Sequence, residues 1–340
     1  MDRKRRLQAV LCFFGIAVFL TEPSAAQEGV RKALQLCGGL LIPSLFPVSV
    51  LSGCLIRLQA GRTKPVVEKK MFSRFGFSES GILAAALGLL GGYPLGAQIV
   101  SAMYREGKIS KGEAEALSCV CNNAGPAFLI GAVGAVLFSD PLQGLRLWMI
   151  QIASVFLTGF LVLPSGRKPD DRSTRSVRST GQVSAQLPAA ITESSLAMLR
   201  LSGSVAFFCA VQSYLDRILK ALQLPVLWNA GLSCFLELAG GITRLSDLAP
   251  ALCFPLAAAF CGFGGVCVHL QAWACYNSAG IPAKRYLLAK SIQGLIAGFL
   301  AILFLGKSVN PKSVPITASA LLIFAFFVFF KKQFGIRQNL

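Results

Sequence analysis

Three apolar runs of this chain are interrupted by residue types that unwind a helix, and the chemistry such interruptions offer is binding. The stretch 88–100, GLLGGYPLGAQIV, sets Gly91, Gly92, Tyr93 and Pro94 in the middle of an apolar run. Glycine and proline are both unfavourable inside a helix. In hydrocarbon, unwound backbone persists only where it is buried in protein or lines a wet cavity. A break creates a half-helix start whose first N–H groups lack intrahelical acceptors and carry partial positive charge. Pro94 suits such a start, because its missing N–H would have been unpaired anyway. Asn122-Asn123-Ala124-Gly125-Pro126 interrupts a second run, and Gly264-Gly265 a third. Adjacent amides in an apolar run are costly unless bonded. Each offers two donors and an acceptor to a carboxylate, a heteroaromatic nitrogen or a bound cation. Gln98 and Gln271 stand at the same spacing beyond their Gly-Gly pairs, and His269 lies just before the second of these glutamines. Glu237 is an ionisable group within an apolar stretch, which makes it a functional candidate and the candidate coupling group. The same small residues and amides also serve tight helix packing and interhelical hydrogen bonds. No acid–base pair, metal cluster or activated nucleophile occurs at recognisable spacing, so the sequence reads as no enzyme, with no catalytic residue, metal or cofactor.

The composition states where these residues must work. Of 340 residues, 54% are apolar and 14% charged, against about 25% charged in a soluble globular protein. Several apolar stretches are long enough to cross a bilayer. The formal charge of +18 is concentrated at Arg3 to Arg6, between Arg57 and Arg74, between Arg167 and Arg178, and at Lys331, Lys332 and Arg337. Those are tails and short loops beside apolar runs, where cytoplasmic segments collect basic residues. The partner they imply is a lipid bilayer, with no nucleic acid. The 11 cysteines lack zinc spacing, Cys119 and Cys121 being one residue apart, and most lie in apolar runs as small hydrophobes. The first residues resemble a signal peptide, with Ser24-Ala25-Ala26 as a cleavage site. The preferred reading is an uncleaved first span with its basic end in the cytoplasm.

Apolar segments at 7–21, 33–57, 81–104, 114–138, 142–163, 196–216, 224–243, 248–276, 286–306 and 314–330 must position the interruptions. Residues 83–125 align with 256–298 without gaps, with 13 identities that include both Gly-Gly pairs and both glutamines. Paired interruptions at matching places in two halves point to a transporter's binding site. Charge favours a re-entrant hairpin at 81–104, since a full crossing there would put the basic linker outside. The expected fold is an all-α polytopic membrane protein of about eight spanning helices plus two re-entrant hairpins, with an internal two-fold repeat and broken helices. The expected divisions are 1–32 (basic tail and first span), 33–163 (first repeat half), 164–190 (basic cytoplasmic linker), 191–306 (second repeat half) and 307–340 (last span and basic tail). Parallel and inverted repeats both stay open, as does homo-oligomerisation.

Gly91-Gly92-Tyr93-Pro94-Leu95-Gly96, then Asn123-Ala124-Gly125-Pro126-Ala127-Phe128-Leu129-Ile130-Gly131, then Phe263-Gly264-Gly265-Val266-Cys267-Val268-His269-Leu270-Gln271 resemble the sporulation integral membrane protein family, of the stage V, dipicolinate-uptake type. Its members carry the nucleoside-recognition Gate domain of concentrative nucleoside transporters. The resemblance spans residues 30–305. It implies transport of dipicolinic acid across the outer forespore membrane, and a transporter fold with hairpins at 81–104 and 248–276. Dipicolinate is a small planar dianion, which half-helix N-termini near Pro94, Pro126 and Gly265 suit. The chain departs from nucleoside transporters in lacking a rich polar and acidic set on both hairpins. A nucleoside or nucleobase transporter sharing the domain, and a non-transporting scaffold for spore assembly, are the alternative readings.

Overall fold

The computed structural model describes residues 3–58, 75–164 and 183–306, and among these every regular element is helical. Helix α1 (Arg3–Thr21) leads to α2 (Pro23–Leu36), a π-helical turn (Cys37–Leu41) and α3 (Ile42–Leu58). Next come α4 (Glu79–Gly91), α5 (Leu95–Arg105), α6 (Lys111–Cys121), a π-helix (Ala127–Leu137), α7 (Pro141–Val162) and α8 (Val183–Ala221). The chain continues through α9 (Val226–Leu236), the single turn α10 (Leu238–Gly241), a 3₁₀ turn (Ile242–Asp247), α11 (Pro250–Phe263), α12 (Gly265–Ser278) and α13 (Lys284–Gly306).

Several starts follow from the sequence directly. Ser78 accepts from Gly81 N, Ser110 from Glu113 N and Asp140 from Leu142 N, each supplying an acceptor to an otherwise orphaned N–H. Helices α2 and α3 pack on α8, α11 packs on α13, and α7 packs on both α13 and the π-helix. Helix α6 lies against α4, α5 and α13. Large apolar side chains on α7, α8 and α13 (Phe160, Leu161, Leu199, Phe207, Phe299 and Leu303) point outward uncovered, as lipid-facing surface does. The inner contacts are made by small residues. A Cβ added at Gly29 would fall inside van der Waals contact with the α8 backbone at Cys209 and Ala210, and one at Gly134 would sit 2.9 Å from Gly144. Such residues let helices approach closely where no hydrophobic force separates lipid from protein.

Five described helical runs are long and apolar enough to cross a membrane: Pro23–Leu55, Pro141–Val162, Ala185–Ala221, Pro250–Ser278 and Lys284–Leu305. The chain is therefore an all-α membrane protein. This corrects the expectation of eight spans, two re-entrant hairpins and an internal two-fold repeat. Segments 33–57, 142–163, 196–216 and 286–306 fall largely within four of these runs. Segment 114–138 divides into α6 and the π-helix, and 224–243 into α9, α10 and the 3₁₀ turn, because asparagine, proline and Glu237 end the helices early. Segment 7–21 belongs to a helix that opens with basic residues and is not one of the five.

The expected second hairpin, 248–276, is instead one 29-residue apolar run interrupted at Gly264. Its two parts find different neighbours, α11 on α13 and α12 on α5 and α9, whereas α4 and α5 pack on each other. The corresponding segments are thus built differently, and the recurrence in sequence is one of local backbone breaks, not of architecture. The basic residues at 59–74 and 165–182, the segment 314–330 expected as a last span, and the C-terminal tail lie outside the described residues.

The close approach of α2 to α8 generates a stability prediction. Gly29→Val should cost about 1–3 kcal/mol by overpacking, read as a lower midpoint of thermal unfolding in detergent. Gly38→Ala, with nothing within 4 Å of its added Cβ, should leave that midpoint unchanged or raise it.

Candidate functional site: four helix interruptions around one cavity

Four interruptions meet in the interior. Helix α4 ends at Gly91, and Gly92 follows at φ +78 and ψ −175, a conformation that a Cβ makes unfavourable. Pro94 caps the start of α5. Helix α6 ends at Cys121, and the chain is non-helical from Asn122 to Gly125 before Pro126, which heads the π-helix. Gly264 closes α11 with its N–H on Phe260 O at 2.7 Å and leads into α12. The fourth interruption is Glu237 itself, extended at φ −137 and ψ 114 between α9 and α10.

The interruptions pack as two pairs. A Cβ on Gly92 would lie 2.9 Å from Gly125 N, and one on Gly125 would lie 2.9 Å from Gly92 N. A Cβ on Gly265 would lie 2.9 Å from Cys234 O and 3.3 Å from Phe235 O, at the end of α9. The absence of a side chain is what allows each pair of unwound backbones to touch. Where they converge there is a cavity of about 30 Å³, walled by Gly92, Tyr93, Gly125, Glu237, Cys267 and Gln271 among apolar side chains. That is room for one or two waters.

Its polar atoms are only partly satisfied. Glu237 is buried, and its carboxylate accepts from Ala239 N at 3.0 Å and Gly240 N at 2.5 Å, so it caps the single turn that follows it. The Cys209 thiol donates to the same carboxylate at 3.9 Å. Gln271 donates to Cys267 Sγ at 3.3 Å, while its Oε1 and the Tyr93 hydroxyl have no hydrogen-bond partner among the described residues.

A buried polar network stands behind the cavity. Lys290, on α13, is 0% exposed; its Nζ donates to Asn123 Oδ1 at 3.2 Å and to Gln293 Oε1 at 2.7 Å. Gln293 donates to Gln151 on α7 at 3.3 Å, and Gln151 donates to Ala258 O on α11 at 2.8 Å. Among the described residues no carboxylate lies within ion-pair distance of Lys290. Beside it, Tyr286 receives Asn122 Nδ2 at 3.0 Å and meets His269 Nδ1 at 3.0 Å. Asn122 Oδ1 and His269 Nε2 have no partner among the described residues.

Of the residues singled out in the sequence, Gly92, Tyr93, Gly125, Glu237 and Gln271 line the cavity. Asn122, Asn123 and His269 belong to the network behind it. Gly91, Pro94, Pro126, Gly264 and Gly265 form the helix ends. Gln98 is half-buried and absent from the cavity wall, so it does not share the position of Gln271. Lys290, Gln293, Gln151 and Tyr286 are additions from the structure. Lys290 was findable by the argument that picked out Glu237, an ionisable residue in an apolar run, but its place near the start of that run resembles an ordinary basic flank. Among the described residues no group of three or more His, Cys, Asp or Glu is placed to hold a metal.

The network predicts an energetic coupling. Asn123→Leu removes one acceptor from the buried Lys290 Nζ and should cost about 1–3 kcal/mol. In a Lys290→Met background the same change should cost clearly less. Equal costs in both backgrounds, by thermal unfolding in detergent, would remove the proposed link.

The chain is similar to the sporulation integral membrane protein YlbJ of Bacillus subtilis (strain 168), at 25% identity over 87% of this chain and 82% of that protein. No family model matches the chain, and no solved structure matches it.

Proposed function

We propose that this protein is a membrane transporter of a small organic anion, dipicolinate, across the outer forespore membrane of a sporulating bacterium, with its N-terminus in the cytoplasm. The observation that carries this reading is the meeting of four helix interruptions at one small cavity inside an apolar bundle, a mostly apolar space that Glu237, Tyr93 and Gln271 border. Irregular backbone at membrane depth is the recurrent architecture of transporter binding sites. The similarity to a protein named for sporulation supports the biological setting, and the resemblance of the three motifs supports the substrate.

The residues divide the work as follows. The half-helix starts at Leu95, Ala127 and Gly265 present N–H groups to carboxylate oxygens. Asn122, Asn123 and Gln271 orient the ring and its carboxylates through amide donors. Lys290 supplies the positive charge, held in reserve by two neutral amides that a carboxylate can replace. Glu237 is the coupling group. On taking a proton, its carboxyl becomes a weaker acceptor for Ala239 N and Gly240 N, and the turn it caps loosens. A cavity of about 30 Å³ does not admit a dicarboxylate, so the paired interruptions separate during each cycle.

In a spore-forming host where this chain replaces its relative, Asn123→Ala and Gln271→Ala should each lower spore dipicolinate several-fold while the protein still inserts in the membrane. Glu237→Gln should leave uptake no longer responsive to a pH gradient. Normal dipicolinate in both amide variants would contradict the assignment.

A further inference from the structure

A second, larger space lies on the other side of the Glu237 turn. It is a cleft of about 400 Å³ between α2, α8 and the α10–3₁₀ segment, lined by Lys32, Gln35, Gln212, Ser213, Thr243 and Arg244 with Cys209 and Gly240 as its floor. Both floor residues hold the Glu237 carboxylate from this side: Gly240 N at 2.5 Å and Cys209 Sγ at 3.9 Å. Glu237, Leu238 and Ala239 line the inner cavity. One helical turn of backbone therefore separates the two spaces.

The lining of the cleft contains two cations and no carboxylate. Arg244 is held by Asp216 through both terminal nitrogens and by Asn229 at 2.8 Å, which fixes the guanidinium in place. Lys32 pairs with Glu28 at 2.6 Å, and both side chains are more than half exposed. A surface pair of that kind contributes little, so Lys32 is free to exchange partners. Gln212 is 4% exposed, and its Nε2 has no partner among the described residues. A buried donor left without an acceptor is costly and marks the place for one. Glu28 and Asp216 pair with Lys32 and Arg244, and Arg217 pairs with Glu22 and Glu28, so the cleft adjoins a cluster of charged side chains on α2 and α8.

We propose that this cleft is the docking site for a small carboxylate-bearing anion, with Gln212, Lys32 and Arg244 as its donors and the Leu238–Gly241 turn as the partition the anion crosses to reach the inner cavity. A space of this size accommodates a small organic ligand, where the inner cavity does not. The inference rests on the transport reading for the direction of travel, while binding at the cleft is independent of it.

The test is thiol labelling at Thr243→Cys, and in parallel at Gln35→Cys, in membranes containing the full chain, with modification read by mass spectrometry of the labelled peptide. An anionic methanethiosulfonate should react several-fold faster than a cationic one of equal length, and the preference should vanish in Lys32→Gln with Gln212→Leu. Pyridine-2,6-dicarboxylate should slow labelling in the parent and not in that double variant. Equal rates for the two reagents, or labelling indifferent to the dicarboxylate at both positions, would overturn the proposal. Protection without uptake into vesicles keeps the docking site and removes the transport reading; uptake without protection does the reverse.

Discussion

Backbone groups without partners cannot be left in an apolar interior, and this requirement organises the structure. Four times the chain leaves helical conformation among buried residues, and at two of these breaks a side chain meets the freed backbone groups while at the others two backbones pack together. Glu237 spends its carboxylate on two N–H groups of the turn it begins. Gly92 and Gly125 bring their backbones together, as do Gly265 and the end of α9. Asn123 turns its amide nitrogen to Val120 O at the end of its own helix and its oxygen to Lys290. The result is a polar centre that is closed but not saturated, since Tyr93, Gln271, Asn122 and His269 each keep an atom without a partner among the described residues.

Buried polar atoms without a partner among the described residues occur at this centre and also elsewhere, at Ser101, Trp148, Thr158, Gln212 and Tyr276. A purely structural network gains by closing every hydrogen bond, because each orphan costs desolvation energy without return. What sets this centre apart is Lys290, held by neutral amides with no carboxylate at ion-pair distance among the described residues. On the transport reading proposed above, a ligand that carries negative charge completes such a set. The surrounding bundle supplies the frame: small residues at the α2–α8 and α7–π-helix contacts let the helices sit close enough to hold the unwound segments in register.

The breaks were legible in the sequence because their causes are local. Glycine pairs, proline and adjacent asparagines disfavour a helix whatever surrounds them, and Gly92, Pro94, Pro126 and Gly264 do end or begin helices. The number of spans was not legible. Apolar composition is common to a helix that crosses a membrane and to a short buried one, so 114–138 and 224–243 read as spans although each contains two or more short elements. The repeat misled for a related reason. Matching residues fix matching local conformations, but the neighbours of Gln98 and Gln271 are set by packing, and only Gln271 reaches the cavity. Lys290 escaped because a lysine near the edge of an apolar run resembles a flank, and only tertiary contacts show it bonded to Asn123 and linked through Gln293 to Gln151 on α7.

The central claim is that the converging interruptions admit and pass a small dianion. The most direct measurement is uptake of labelled pyridine-2,6-dicarboxylate by the purified protein in lipid vesicles, with a pH gradient imposed in either direction. The account predicts saturable uptake above protein-free vesicles, dependent on the gradient and not displaced by uridine. Uptake equal to that of protein-free vesicles under both gradients would contradict it.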